Sequence, residues 1–106
     1  MEITTKENDG VLTVSLNGEL DHHGAAAARR EIDTIIEGTS PKRVVLGLDK
    51  INFCDSSGLG LIMGRYKKAL SVGAVLTIAD PSAAVERIIK LAGLTEIIKT
   101  ERSGVL

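Results

Sequence analysis

Two short segments hold the side chains able to do chemistry. One is Gly18-Glu19-Leu20-Asp21-His22-His23-Gly24, and the other is Ile51-Asn52-Phe53-Cys54-Asp55-Ser56-Ser57-Gly58-Leu59-Gly60. Asp55, Ser56 and Ser57 are all preferred helix N-caps, and capping alone accounts for one of them. Capping leaves over the second serine and the glycines Gly58 and Gly60. Two glycines in a first helical turn cost about 1 kcal/mol each relative to Ala, so a close approach of the sheet or of a partner is expected to compensate. Gly60 and Gly64 lie one turn apart and leave a smooth stripe, which reads as close packing rather than a docking surface. A hydroxyl at such a helix start has a specific use, because a phosphate there meets free backbone N–H groups and the positive end of the helix dipole. Phosphorylation of Ser56 or Ser57 therefore leaves the fold intact. It adds about −1.5 to −2 charge to a rim that already bears Asp21 and Asp55. A partner docked on that rim meets a desolvated like charge, and a loss of about 3 kcal/mol weakens binding about a hundredfold.

Rival chemistries fit less well. A nucleophile elbow requires glycine two residues before the serine, where Cys54 stands before Ser56. Asp21, His22 and Ser56 can be drawn as a triad, but 106 residues leave little room for a cleft and an oxyanion hole. Gly58 and Gly60 lack the third glycine of a dinucleotide fingerprint, since Met63 takes its place. His22 and His23 are adjacent, so their side chains diverge, and with Asp21 they find no third ligand at suitable spacing; a solvated helix start is expected instead of a metal site. Cys54 reads as a small buried hydrophobe. Arg65, Lys67 and Lys68 complement the end of their helix dipole and read as a solvated face. Asp49 follows a strand, as the acceptor of a phosphoaspartate receiver would. Glu7 and Asp9, however, lead into a hairpin turn and supply no acidic pair beside it.

The elements that position these segments are legible from periodicity. Leu12, Val14 and Leu16 alternate with Thr13, Ser15 and Asn17 as in a half-buried strand, and Asn8-Asp9-Gly10 marks a turn before it. Ile3–Glu7 and Val11–Asn17 are thus expected to form an antiparallel hairpin. Ala25, Ala28, Ile32, Ile35 and Ile36 give a helix one apolar face, with Gly38 as its C′ residue. The apolar run in Arg43–Leu48 predicts a central strand buried on both faces, followed by a connection over Lys50–Asp55. A second helix spans Ser56–Ser71, and Ala74–Ala79 is a further buried strand. Asp80-Pro81 reads as N-cap and first residue of a third helix, which carries Val85, Ile88, Ile89 and Ala92 and ends at Gly93-Leu94. Thr95–Lys99 is expected as a last strand, and Thr100–Leu106 as a tail. The order β-β-α-β-α-β-α-β implies an α/β domain: a mostly parallel sheet of about five strands, entered through a hairpin and covered by helices. Both chemical segments follow strands and precede helices, so they share one rim of the sheet.

Composition narrows the function further. Against 13 Lys+Arg stand 14 Asp+Glu, a net charge of −1 that offers no basic footprint for nucleic acid. Phe53 and Tyr66 are the only aromatic residues, too few for a base-stacking platform. A single cysteine excludes a disulfide framework and fits a reducing compartment. The N-terminus reads as lacking a signal peptide, and the longest uncharged stretch, Ala69–Ala79, is well short of the roughly 20 residues that span a bilayer. A cytoplasmic protein of one domain, residues 1–106, is expected.

Gly18-Glu19-Leu20-Asp21-His22-His23 and the run from Phe53 through Asp55-Ser56-Ser57-Gly58-Leu59-Gly60 to Arg65-Tyr66-Lys67 resemble the two signature segments of the anti-sigma factor antagonists, bacterial STAS-domain proteins. The match is nearest to the sporulation branch, the anti-sigma F factor antagonists. It extends from the first strand to Gly93-Leu94. The resemblance implies a binding protein without catalysis or cofactor of its own, whose partner is an anti-sigma factor that is also a serine kinase. Binding frees the sigma factor. The kinase phosphorylates the first serine after the Asp, here Ser56, and the phosphorylated form lets go until a PP2C-type phosphatase restores it. Asp21 and Asp55 then flank the phosphoacceptor, and His22, His23, Ser57, Gly58 and Gly60 are interface positions. Sporulation members carry a further C-terminal helix, so Thr100–Leu106 reads as a tail or a truncated form of it. A ligand sensor or scaffold sharing the STAS fold, and a phosphoaspartate receiver, are the alternatives.

Overall fold

Leu12, Val14 and Leu16 are buried on one face of a strand, and the turn before them is the tight one their spacing predicts. The computed structural model describes residues 1–103. Strands β1 (Glu2–Asn8) and β2 (Val11–Leu20) pair antiparallel across Asp9-Gly10. Both turn residues have positive φ, 52° and 82°, the requirement that selects Asp-Gly in a two-residue hairpin. Then follow α1 (His22–Thr39), β3 (Arg43–Cys54), α2 (Ser56–Ser71), β4 (Val75–Ala79), α3 (Ala83–Leu91), a 3-10 turn (Leu94–Glu96) and β5 (Thr100–Glu101). The sheet order is β1-β2-β3-β4-β5. Every pair after the hairpin is parallel.

Register decides where the core sits. Leu12 lies beside Val44 and Val44 beside Leu76; one step along, Val14, Leu46 and Ile78 line up in the same way. These side chains share one face and form one buried cluster with Ile32 and Ile36 of α1, Ile62 of α2, and Val85 and Ile89 of α3. The opposite face carries Thr13, Ser15, Val45 and Gly47, which line an open hollow with Asp49. Val45 is therefore only half-buried, and β3 is not covered on both faces as its apolar run suggested.

Several boundaries differ from expectation for physical reasons. β2 and β3 run on through Leu20 and Cys54, where loops were expected. Their register shifts between Ser15 and Asn17 and again between Gly18 and Glu19, and such bulges break the alternation by which a strand is read. Helix α1 includes Gly38 and stops at Ser40, whose φ of 45° ends the helix while its N–H reaches the Ile36 carbonyl at 3.0 Å. The N-cap of α3 is Ser82, whose Oγ accepts from the Val85 N–H at 3.2 Å, and not Asp80. Asp80 instead has a left-handed φ of 54° and accepts from the Ser103 N–H at 2.7 Å.

Thr95–Lys99 is not a strand; Leu94–Glu96 makes a 3-10 turn, and Thr100–Glu101 is the last strand. The residues after it are fastened too. Arg102 donates to the Pro81 carbonyl at 2.6 Å and pairs with Glu86 at 2.7 Å, while Arg43 pairs with Glu101. The expected tail is thus tied down as far as Ser103, and its remainder, 104–106, lies outside the described residues.

Candidate functional site

β2 and β3 are parallel neighbours that end together, Leu20 beside Cys54. The next residue of each is the N-cap of a helix. Asp21 begins α1, its carboxylate accepting from the Gly24 N–H at 2.8 Å. Asp55 begins α2, its Oδ1 accepting from the Ser57 and Gly58 N–H groups at 2.8 and 3.1 Å. The two starts are joined, because the Asp55 N–H donates to the Leu20 carbonyl at 3.2 Å. Two helix dipoles thus end positive on one rim, each next to a carboxylate. The Gly24 N–H holds the Asp21 carboxyl below its ordinary range, with His23 adding to the effect.

Gly58 shows what compensates its helix cost. A Cβ there would sit 2.5 Å from the Leu20 carbonyl oxygen and 2.8 Å from Cys54 Sγ, so α2 starts pressed against the paired strand ends. Gly24 does the same for α1, its Cβ position lying 2.5 Å from the Glu19 carbonyl oxygen. No role was expected for Gly24. The signal was present as a repeated spacing, Asp21 to Gly24 and Asp55 to Gly58.

Gly60 and Gly64 are different. Beyond the adjacent turns of α2 itself, no described atom lies within 4 Å of either Cβ position, and both line an open groove between α1 and α2. The expectation of close packing along this stripe is therefore corrected.

The Asp55 carboxylate does the capping, so neither serine hydroxyl is spent on it. Ser56 is the first residue of α2 and is exposed; Ser57 is half-exposed and lines the groove with His22. His22 and His23 are both exposed on the first turn of α1, their rings edge-to-face with centroids 5.8 Å apart. Asp21, His22, Asp55, Ser56, Ser57 and Gly58 thus come from two adjacent helix starts, and Gly60 opens onto the groove one turn further along α2. Phe53, 48% exposed, stands beside Glu19 where β3 ends. Cys54 is buried as expected, and burial together with the Asp55 charge pushes its thiol up to about 11. Asp49 lies inside β3 and not at its end, which removes the geometry of a receiver.

Arg65 departs furthest from its expected place on a solvated face. It is 4% exposed and turned toward α1, where Asp33 meets its Nε at 2.8 Å. Burial lowers its pKa, with Asp33 opposing the effect. One turn on, Lys68 pairs with Glu37 of α1 at 2.6 Å, and Lys67 is exposed as read.

Residues 2–104 match the STAS domain. The chain belongs to that family. Among curated relatives, the anti-sigma F factor antagonist of Paenibacillus polymyxa is 38% identical over 98 residues, 92% of this chain and 84% of the relative. Among solved structures, the anti-sigma factor antagonist SpoIIAA in its unphosphorylated form superposes with a TM-score of 0.79 at 26% identity, covering 93% of this chain and 87% of that one. The Bacillus cell fate determinant SpoIIAA in its phosphorylated form gives 0.71 at 25% identity, over 93% and 90% of the two chains. The STAS domain, with its N-terminal hairpin and three helices on a mixed five-stranded sheet, is the fold expected.

Proposed function

We propose that this chain is an anti-sigma factor antagonist of the sporulation type, a partner-switching regulator without catalysis of its own. Its unphosphorylated form binds an anti-sigma factor with serine kinase activity and thereby releases a sigma factor. Ser56 is the phosphoacceptor, a PP2C-type phosphatase reverses the modification, and the exchange takes place in the cytoplasm. No helix among the described residues is long and apolar enough to cross a membrane. Asp21, His22, His23, Asp55, Ser57, Gly58 and Gly60 form the docking rim around the acceptor.

The observation that carries this reading is the placement of Ser56. It is exposed at the first position of α2, while Asp55 already caps the helix through the Ser57 and Gly58 N–H groups. A phosphoryl group can therefore be added without displacing any bond that holds the rim. It brings about −1.5 to −2 charge beside two carboxylates, which opposes docking by desolvated like-charge contact. The names and two phosphorylation states of the relatives support the same assignment.

The test is incubation with the serine-kinase anti-sigma factor of the same organism and ATP, followed by mass spectrometry. Phosphate on Ser56 is expected, and Ser56→Ala should not be labelled. Phosphate on Ser57 instead, or none on the unaltered protein, removes the assignment.

A further inference from the structure

We propose that the groove between α1 and α2 is a second docking subsite, which takes an acidic side chain of the same protein partner. The inference rests on reading the rim as a docking surface and extends that surface along the helices. The groove, about 550 Å³, starts at the rim between His22 and Ser57 and continues over Gly60 and Gly64. Beyond the adjacent turns of α2 itself, no described atom lies within 4 Å of the Cβ positions of those glycines, so an incoming side chain reaches the helix backbone.

The charged side chains lining the groove are all cationic: Arg29, Arg65 and Lys67. Arg29 and Lys67 are exposed, whereas Arg65 is 4% exposed and built in. Its Nη1 is buried without a hydrogen-bond partner. Its Nε lies 2.8 Å from Asp33 Oδ1, yet neither atom gains an aligned hydrogen bond from the contact. A buried guanidinium with unfilled donors is unfavourable, and a carboxylate fits its planar fork better than any neutral group does.

The occupant is identified as part of the same partner by continuity. Ser57 and Arg65 are eight residues apart on one helix, about 12 Å at 1.5 Å per residue. That distance lies well inside an interface of standard size, about 800 Å² on each side. The rim and the groove also differ in sign. The acidic rim reads phosphorylation, while the charge of the cationic groove is unaltered by it.

Arg29 and Lys67 allow a test that spares the core. The double variant Arg29→Glu/Lys67→Glu is titrated against the serine-kinase anti-sigma factor, beside the unaltered protein and Ser56→Asp. Affinity of the double variant is expected to fall at least tenfold with an unchanged melting temperature. Carbodiimide coupling of the unaltered complex is expected to join the Lys67 amine to an Asp or Glu of the kinase. An affinity within twofold of the parent and no coupling at Lys67, while Ser56→Asp still weakens binding, overturns the groove subsite and leaves the rim assignment standing. Failure of the unaltered protein to bind the kinase removes both.

Discussion

A methyl group on Gly58 would sit 2.7 Å from Leu20 Cβ, closer than two carbons can approach. Leu20 is the last residue of β2 and Gly58 belongs to the first turn of α2, so this contact sets the height of the helix above the sheet end. Gly58→Ala should therefore cost about 1–3 kcal/mol, as overpacking does. Gly60→Ala meets no described atom beyond the adjacent turns of α2 and should gain about 0.5–1 kcal/mol from helix propensity. Urea midpoints of the two variants should shift in opposite directions; equal shifts would remove the contact as the constraint.

Ser56→Asp places a permanent negative charge next to Asp55, on the rim that also carries Asp21. Affinity for the anti-sigma factor should fall about ten- to a hundredfold, a little less than for a doubly charged phosphate. The thermal midpoint should stay within a few degrees, since the Ser56 hydroxyl caps nothing. A calorimetric titration paired with a melting curve separates the two effects, and an unchanged affinity would count against the charge mechanism.

Two hydrogen-bonded carboxylates make the fold acid-sensitive in a predictable direction. Asp21 and Asp80 both titrate below the ordinary value of 3.8, Asp21 through the Gly24 N–H and Asp80 through the Ser103 hydroxyl and N–H. A depressed carboxyl binds its proton less readily in the folded than in the unfolded chain. Its contribution is complete above about pH 4 and is lost as the pH falls through the folded pKa. Asp21→Asn/Asp80→Asn keeps one acceptor oxygen at each site and removes the charges. Its stability deficit, followed by urea unfolding at decreasing pH, should be constant above about pH 4 and shrink as the pH falls below it.

Cys54 should be slow to alkylate. Burial and Asp55 hold its thiol near pKa 11, so at pH 7.5 little thiolate forms and little reagent reaches it. Iodoacetamide labelling followed by mass should be more than tenfold faster in urea than in the native protein. Equal rates would mean that the strand end opens readily.

Most of this architecture could be read from periodicity because the hairpin, helices and buried strands announce themselves by spacing. The rim was legible for the same reason: caps and glycines follow strands. Bulges hid the extensions of β2 and β3, since one extra residue resets the alternation. Asp80-Pro81 misled because Asp80 serves a contact with Ser103, distant in sequence, and leaves the cap to Ser82. Arg65 looked solvated because its neighbours Lys67 and Lys68 are cationic; its place on the helix face turned to Asp33 depends on how α1 and α2 lie against each other. The open groove at Gly60 and Gly64 depends on that same packing, which helical spacing alone does not specify.

The order of strands across the sheet is the order in which the chain is synthesised. Each new strand therefore pairs with the one made just before it, and no edge has to wait for a later segment. Each parallel pairing closes over a single crossover, the shortest connection parallel neighbours allow. During synthesis the hairpin can form first, and each strand–helix unit can then dock onto a finished edge. The rim that carries Asp21, Asp55 and Ser56, built where β2 and β3 end, is complete once α2 has emerged, before the last third of the chain is made.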